Sequence, residues 1–260
     1  MPDLSMQIQT TGNNPNPGVV ERRFPDLGAL VQAAAKDWCI AIEGTVDAGD
    51  PCCVALSGGR MAQPFFNALL ETAHRRHTPL ALTHYFWADE RCVPPTDPES
   101  NYAAALQFLL VPAGVPPRQV HRIQGERPPP EAAQTASQEL LQWAPRNAAG
   151  RPVLELVFLG MGEDGHVASL FPEDHTVATE AIYRPVTASK PPPERITLDY
   201  PVLAEARQVH VLISGESKRA ALLASLQPDA ATPLGRLLRL RAQTHILMEG
   251  VLPGKMGPRC

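Results

Sequence analysis

A chain of 260 residues with 44% hydrophobic and 19% charged side chains is long enough to bury one large core, and its composition sets aside disorder, collagen and coiled coil. A formal net charge of −4 argues against a broad basic surface for nucleic acid or anionic membrane, and no run of about 18 apolar residues offers a membrane span. The five cysteines, Cys39, Cys52, Cys53, Cys92 and Cys260, form no C-x-x-C pair. They predict neither a disulfide framework nor a zinc knuckle, and with an amino terminus lacking a basic and apolar leader the expected setting is reduced and cytoplasmic. The 28 prolines are spread along the chain, which implies short elements separated by stiff turns.

Residues 1–23 are polar and rich in Asn and Pro, and read as a loose lead-in to one domain over 24–260. Leu27, Leu30, Val31, Ala34, Trp38 and Ile42 repeat at helical spacing behind Asp26, a capping residue, toward an end near Gly44. The apolar run at 52–56 is too short for a helix and breaks at Ser57-Gly58-Gly59, with a helix expected from Pro64 to His74. This unit of strand, turn and helix recurs: 82–88 then 100–110, where Ser100 caps; 153–160 then a glycine turn; 208–215 then a helix from Glu216. A helix with proline at its start fits 128–144, and 196–200 and 244–249 are further strands. About six near-continuous apolar strands alternating with helices predict an α/β fold: a single doubly wound, mostly parallel sheet with helices on both faces.

In such sheets ligands bind beyond the carboxyl ends of the strands, so the segments that follow strands are the ones to inspect. Ser57-Gly58-Gly59-Arg60 has the glycines of an anion cradle, in which successive N–H groups point at an oxyanion; a tight turn is the plainer alternative. Lys218, at the start of a helix, opposes the dipole unless an anion sits there too. Gly160 to Gly165 spells G-x-G-x-x-G, but Glu163 and Asp164 would repel a pyrophosphate, so a dinucleotide is rejected. The same turn offers Asp164 and His166, an acid and an imidazole suited to general base chemistry or to a structural turn. In Asp89-Glu90-Arg91 a persisting strand would turn Asp89 and Arg91 to the crevice and Glu90 away, to polarise a carbonyl and fix a hydroxyl or the histidine; a salt-bridged anchor would look the same. His74 and His77 have no third ligand nearby, and Ser57 is in no G-x-S-x-G elbow.

Taken together these segments resemble the 6-phosphogluconolactonase family, within the glucosamine-6-phosphate isomerase/deaminase-like superfamily. The matching text is LSGGRMAQPFFNAL, FWADERCVPPTDPESNY, LELVFLGMGEDGHVASLFP, KPPPERITLDYPVL and VLISGESKRAAL, in that order. The resemblance implies a cytosolic pentose phosphate enzyme that opens 6-phospho-D-glucono-1,5-lactone, a small sugar phosphate, with no organic cofactor and no required metal. It implies His166 as the base, Asp164 and Asp89 in the sugar site and Arg91 at the substrate and developing oxyanion. It places Ser57, Gly58, Gly59, Lys218 and Arg195 around the phosphate. Arg60 stands where the family commonly has a hydroxyl residue, either replacing or blocking that donor. Isomerase and deaminase relatives carry a catalytic glutamate five residues after the histidine, where this chain has Phe171; a non-catalytic sugar-phosphate sensor is the other competing reading. Neither nucleic acid nor membrane is expected as a partner, and the sequence leaves the oligomeric state open.

Overall fold

The computed structural model describes residues 18–250 except 175–179. Its centre is a six-stranded sheet of β1 (Val19–Phe24), β2 (Cys53–Leu56), β3 (His84–Trp87), β5 (Leu156–Gly160), β8 (Gln208–Ile213) and β9 (Thr244–Glu249). The strand order is β1-β9-β8-β5-β2-β3, and every neighbouring pair is parallel. A second sheet, antiparallel, joins β4 (Asp89–Arg91), β7 (Glu194–Leu198) and β6 (Tyr183–Thr187) in the order β4-β7-β6.

The central strands β2 and β5 are buried except at Gly160, where β5 reaches the cavity, as their continuous apolar runs require, and helices flank them. Helix α1 (Leu27–Asp47) starts where Asp26 accepts a hydrogen bond from the Ala29 N–H at 2.8 Å, and runs past Gly44. Helix α2 (Ala62–Arg76) lies against it. Phe65 of α2 sits edge-on to Trp38 of α1 at 5.1 Å and against Phe158 of β5 at 4.8 Å, all three fully buried. Each such ring contributes roughly 1.5–3 kcal/mol by burial, and the trio fixes α2 against the sheet directly below the Ser57 turn. Helix α3 (Asn101–Ala105), continued by a π-helical turn at Leu106–Leu110, begins at Ser100, whose hydroxyl accepts from Ala103 N–H. Further along come α4 (Pro129–Trp143), α5 (Tyr200–Glu205), α6 (Arg219–Ser225) and α7 (Pro233–Leu240).

The sequence reading needs four corrections. The lead-in does not extend to residue 23, because Val19–Phe24 pairs with β9 as an edge strand of the main sheet; the part before residue 18 lies outside the described residues. The stretch 196–200 is not a strand of that sheet: Glu194–Leu198 belongs to the small sheet, and Asp199 caps α5 by accepting from Tyr200 N–H. Arg195 therefore lies within a strand rather than ahead of one. The strand considered at Asp89-Glu90-Arg91 does form, as β4 of the small sheet, and Tyr183–Thr187 adds a strand not expected from the sequence, whose Pro185 is tolerated at the sheet edge.

Candidate active site

From β2 the chain steps to β3 on one side of the sheet, then returns to place β5 on the other side and builds outward through β8 to β9. The winding thus reverses between β2 and β5. At such a point the segments leaving the two strands diverge and leave a crevice. Here the segments are Ser57-Gly58-Gly59 and Gly160 to His166, and a cavity of about 370 Å³ opens between them. That volume is in the range of small-ligand sites.

Nine of the ten residues singled out from the sequence line this cavity: Ser57, Gly58, Gly59, Arg60, Asp89, Arg91, His166, Arg195 and Lys218. The tenth, Asp164, touches His166 from the side. Gly59 has φ +79°, a conformation natural to glycine that turns the chain from β2 toward α2. The turn at 162–166 is closed by Gly162 N–H to the His166 carbonyl at 2.9 Å and Gly165 N–H to the Gly162 carbonyl at 3.1 Å. It is braced from outside by α7, where Leu234 N–H donates to the Gly165 carbonyl at 3.0 Å.

Within that turn the Asp164 Oδ1 accepts from the His166 backbone N–H at 3.1 Å and meets His166 Nδ1 at 2.6 Å. A carboxylate only accepts, so Nδ1 carries a proton, and in the neutral form of the ring the lone pair is on Nε2. Burial works to raise the Asp164 carboxyl, but the His166 N–H and imidazole outweigh it and hold the group below its ordinary value. The His166 ring also rests on Phe171 at 4.9 Å, and the Arg195 guanidinium lies over the same ring at 5.7 Å. Besides Asp164, then, the imidazole packs on an apolar ring at the position five residues further along the chain, not on a second carboxylate.

Asp89 and Arg91 face the cavity from β4 while Glu90 is buried on the other side, as the strand alternation predicted. Asp89 does not reach the histidine. Its Oδ2 accepts from Ser169 Oγ at 2.7 Å and its Oδ1 from Asn101 Nδ2 at 3.3 Å, and Thr197, opposite Asp89 in β7, accepts from Ser169 N–H at 3.2 Å. Ser57 departs from expectation. Its hydroxyl donates to the Phe158 carbonyl at 2.7 Å and is buried, so its proton ties β2 to β5 and does not point at a ligand.

Lys218 ends a short 3₁₀ turn, Glu216–Lys218, just ahead of α6, and is 7% exposed. Burial and the nearby Arg60 charge push its ammonium below the usual value, with Glu163 opposing. Arg195 is lowered by burial and by Arg91, its direct partner across the β4–β7 ladder. Counting Lys190, five cationic side chains line the cavity against two carboxylates, Asp89 and Glu163. Cations packed this closely are unfavourable unless a multiply charged anion joins them. Lys190 and Asn101 were not singled out from the sequence. Both lie within segments that carry the family resemblance, but the resemblance gives neither a role. Among the described residues no group of three or more His, Cys, Asp or Glu side chains is arranged to hold a metal ion, and no helix is long and apolar enough to cross a membrane.

Residues 25–246 match the family model described as glucosamine-6-phosphate isomerases/6-phosphogluconolactonase. The chain belongs to this family. The 6-phosphogluconolactonase of Treponema pallidum is 36% identical over 213 residues, covering 78% of this chain and 85% of that protein. That of Mycobacterium tuberculosis is 33% identical over 212 residues, covering 78% and 84%. Among solved structures, the 6-phosphogluconolactonase of Thermotoga maritima superposes with a TM-score of 0.77 at 26% identity, covering 89% of this chain and all of that one. A monomeric glucosamine-6-phosphate deaminase matches with a TM-score of 0.74 at 17% identity, which shows the shared fold.

Proposed function

We propose that this chain hydrolyses 6-phospho-D-glucono-1,5-lactone to 6-phospho-D-gluconate in the pentose phosphate pathway, as a cytoplasmic enzyme acting on a free sugar phosphate, with β1 to β9 working as one domain. The observation that carries the mechanism is the 2.6 Å contact between Asp164 and His166 Nδ1, which leaves Nε2 as the basic nitrogen at the cavity. His166 takes a proton from water as the water oxygen bonds to the lactone carbonyl carbon. As the ring C–O bond breaks, that proton is returned to the departing ring oxygen, so no covalent enzyme intermediate is needed. Arg91 faces the developing oxyanion and Asp89 lines the sugar, while Asp164, outside the cavity lining, orients His166. The Gly58 and Gly59 backbone, Lys218, Arg195 and Arg60 hold the phosphate, whose remote binding energy orients the ring, with Ser57 supporting the turn.

The isomerase or deaminase reading requires a proton-shuttling glutamate five residues after the histidine, and Phe171 stands there, packed on the imidazole. Kinetics on freshly prepared lactone, corrected for spontaneous opening, test the proposal. His166→Ala is expected to lower kcat roughly 10²–10⁴-fold. Lys218→Ala is expected to raise KM roughly ten- to hundredfold, the worth of a charge-assisted contact. Unchanged kcat in the first variant would remove His166 as the base, and tight binding of 6-phosphogluconate by wild-type protein without turnover of the lactone would favour a sensor.

A further inference from the structure

Glu90 is the one residue of the Asp89-Glu90-Arg91 strand that does not face the cavity, and it is 2% exposed. Its carboxylate spans two elements. It accepts from Arg91 N–H at 2.8 Å on its own strand, and from Asn101 N–H at 2.7 Å, Tyr102 N–H at 2.8 Å and Ser100 Oγ at 3.0 Å at the start of α3. Helix α3 already has a cap in Ser100, so a second, buried carboxylate at the same place is more than termination requires. Burial pushes the Glu90 carboxyl up to about 7 against those donors, so the fold keeps this group where its charge is costly.

What the four bonds fix is Asn101. Its side chain is 4% exposed, and Nδ2 donates to the Asp89 carbonyl at 2.8 Å and to Asp89 Oδ1 at 3.3 Å. On its other side Asn101 presses on the anion cradle: a Cβ built on Gly58 would lie 1.8 Å from Asn101 Oδ1, a contact only glycine permits. We infer that Glu90 and Asn101 form a positioning pair, in which Glu90 anchors the start of α3 so that Asn101 sets the orientation of the Asp89 carboxylate and its separation from the Gly58 turn. Glu90 lies behind the cavity wall and Asn101 within it, the pair works through Asp89 and the cradle, and the inference rests on Asp89 lying in the sugar site.

The test is lactonase kinetics on Glu90→Gln, Asn101→Ala, their double variant and Asp89→Asn, with circular dichroism and Tm for each. In variants that are folded at the assay temperature, Glu90→Gln and Asn101→Ala are each expected to lower kcat about tenfold or more while KM moves much less, since small displacements of reacting groups are costly in rate. The double variant should lose about as much as the worse single one. A merely structural role would lower Tm and leave the kcat of folded protein alone. Wild-type kcat in either folded single variant, or losses that multiply in the double, overturns the inference. If Glu90→Gln does not fold, Asn101→Ala, which leaves every Glu90 bond in place, decides it. Wild-type kcat in Asp89→Asn would overturn the sugar-site role of Asp89 and the positioning with it, whereas a crippled Asp89→Asn beside unaffected Glu90→Gln and Asn101→Ala removes the positioning pair alone.

Discussion

Ser57 and Lys218 flank the same cavity but meet it in different ways. Ser57 spends its hydroxyl proton on Phe158, while the Lys218 ammonium is buried beside Arg60. Replacing Ser57 by Ala should therefore cost about 1 kcal/mol in urea unfolding and move KM far less than Lys218→Ala does; a KM rise equal to that of Lys218→Ala would return the hydroxyl to the phosphate. The residues that carry charge or glycine freedom in short strings, such as Gly58-Gly59 and Asp164 with His166, were legible because their chemistry is local. Where a hydroxyl points is not local: Ser57 meets Phe158 only after two strands distant in sequence have paired. Asn101 and Ser169 were hidden for the same reason. Their role comes from bonding Asp89 across the fold, and nothing near them in sequence signals it.

At the scale of elements, the 162–166 turn is held by a helix far along the chain. Thr232 caps α7 by accepting from Gly235 N–H at 3.1 Å, it lies 2.7 Å from Ser225 Oγ, and the first turn of α7 binds the Gly165 carbonyl. Thr232→Ala should cost about 1 kcal/mol in denaturant unfolding, with kcat falling as the brace on the turn loosens; unchanged stability would show that the cap is dispensable. Buried strands and capped helices were readable because burial on both faces writes a continuous apolar run and Asp26 or Ser100 writes a start. The edge elements were not. In β1, Glu21, Arg22 and Arg23 give the segment the look of a loop, yet charge is what an exposed sheet edge carries, and Arg22 pairs with Asp37 of α1. β4 has three residues, so its alternation of Asp89, Glu90 and Arg91 could be read from the sequence but its antiparallel pairing with the distant β7 could not.

For the molecule as a whole, acid should be destabilising well before the carboxylates titrate. His210 is 1% exposed, and burial, with His245, Arg22 and Arg241 nearby, pushes its imidazole down to about 3. Burial also lowers His84, His121 and His245. A group depressed in this way contributes stability that is present above its unfolded value of 6.5 and is lost as pH falls, because only the unfolded chain takes up the proton. Glu90 opposes this, since its raised carboxyl stabilises the fold on acidification between 4.5 and about 7, but it is one group against four. Unfolding free energy should thus fall from pH 7 to 5, and His210→Phe should flatten the slope by about 1.4 kcal/mol per pH unit below pH 6. An unchanged slope in that variant would show that His210 does not govern it.

The register that sets Arg91 directly opposite Arg195 has a consequence for how the protein is made. Arg91 and Arg195 are like charges close enough for each to oppose the other, and the buried Lys218 is likewise opposed by Arg60, so neutral replacement at any of these positions relieves repulsion. Removing one of these charges should therefore raise stability while weakening the hold on the phosphate that is proposed above, which makes stability and affinity opposing demands on the same few side chains.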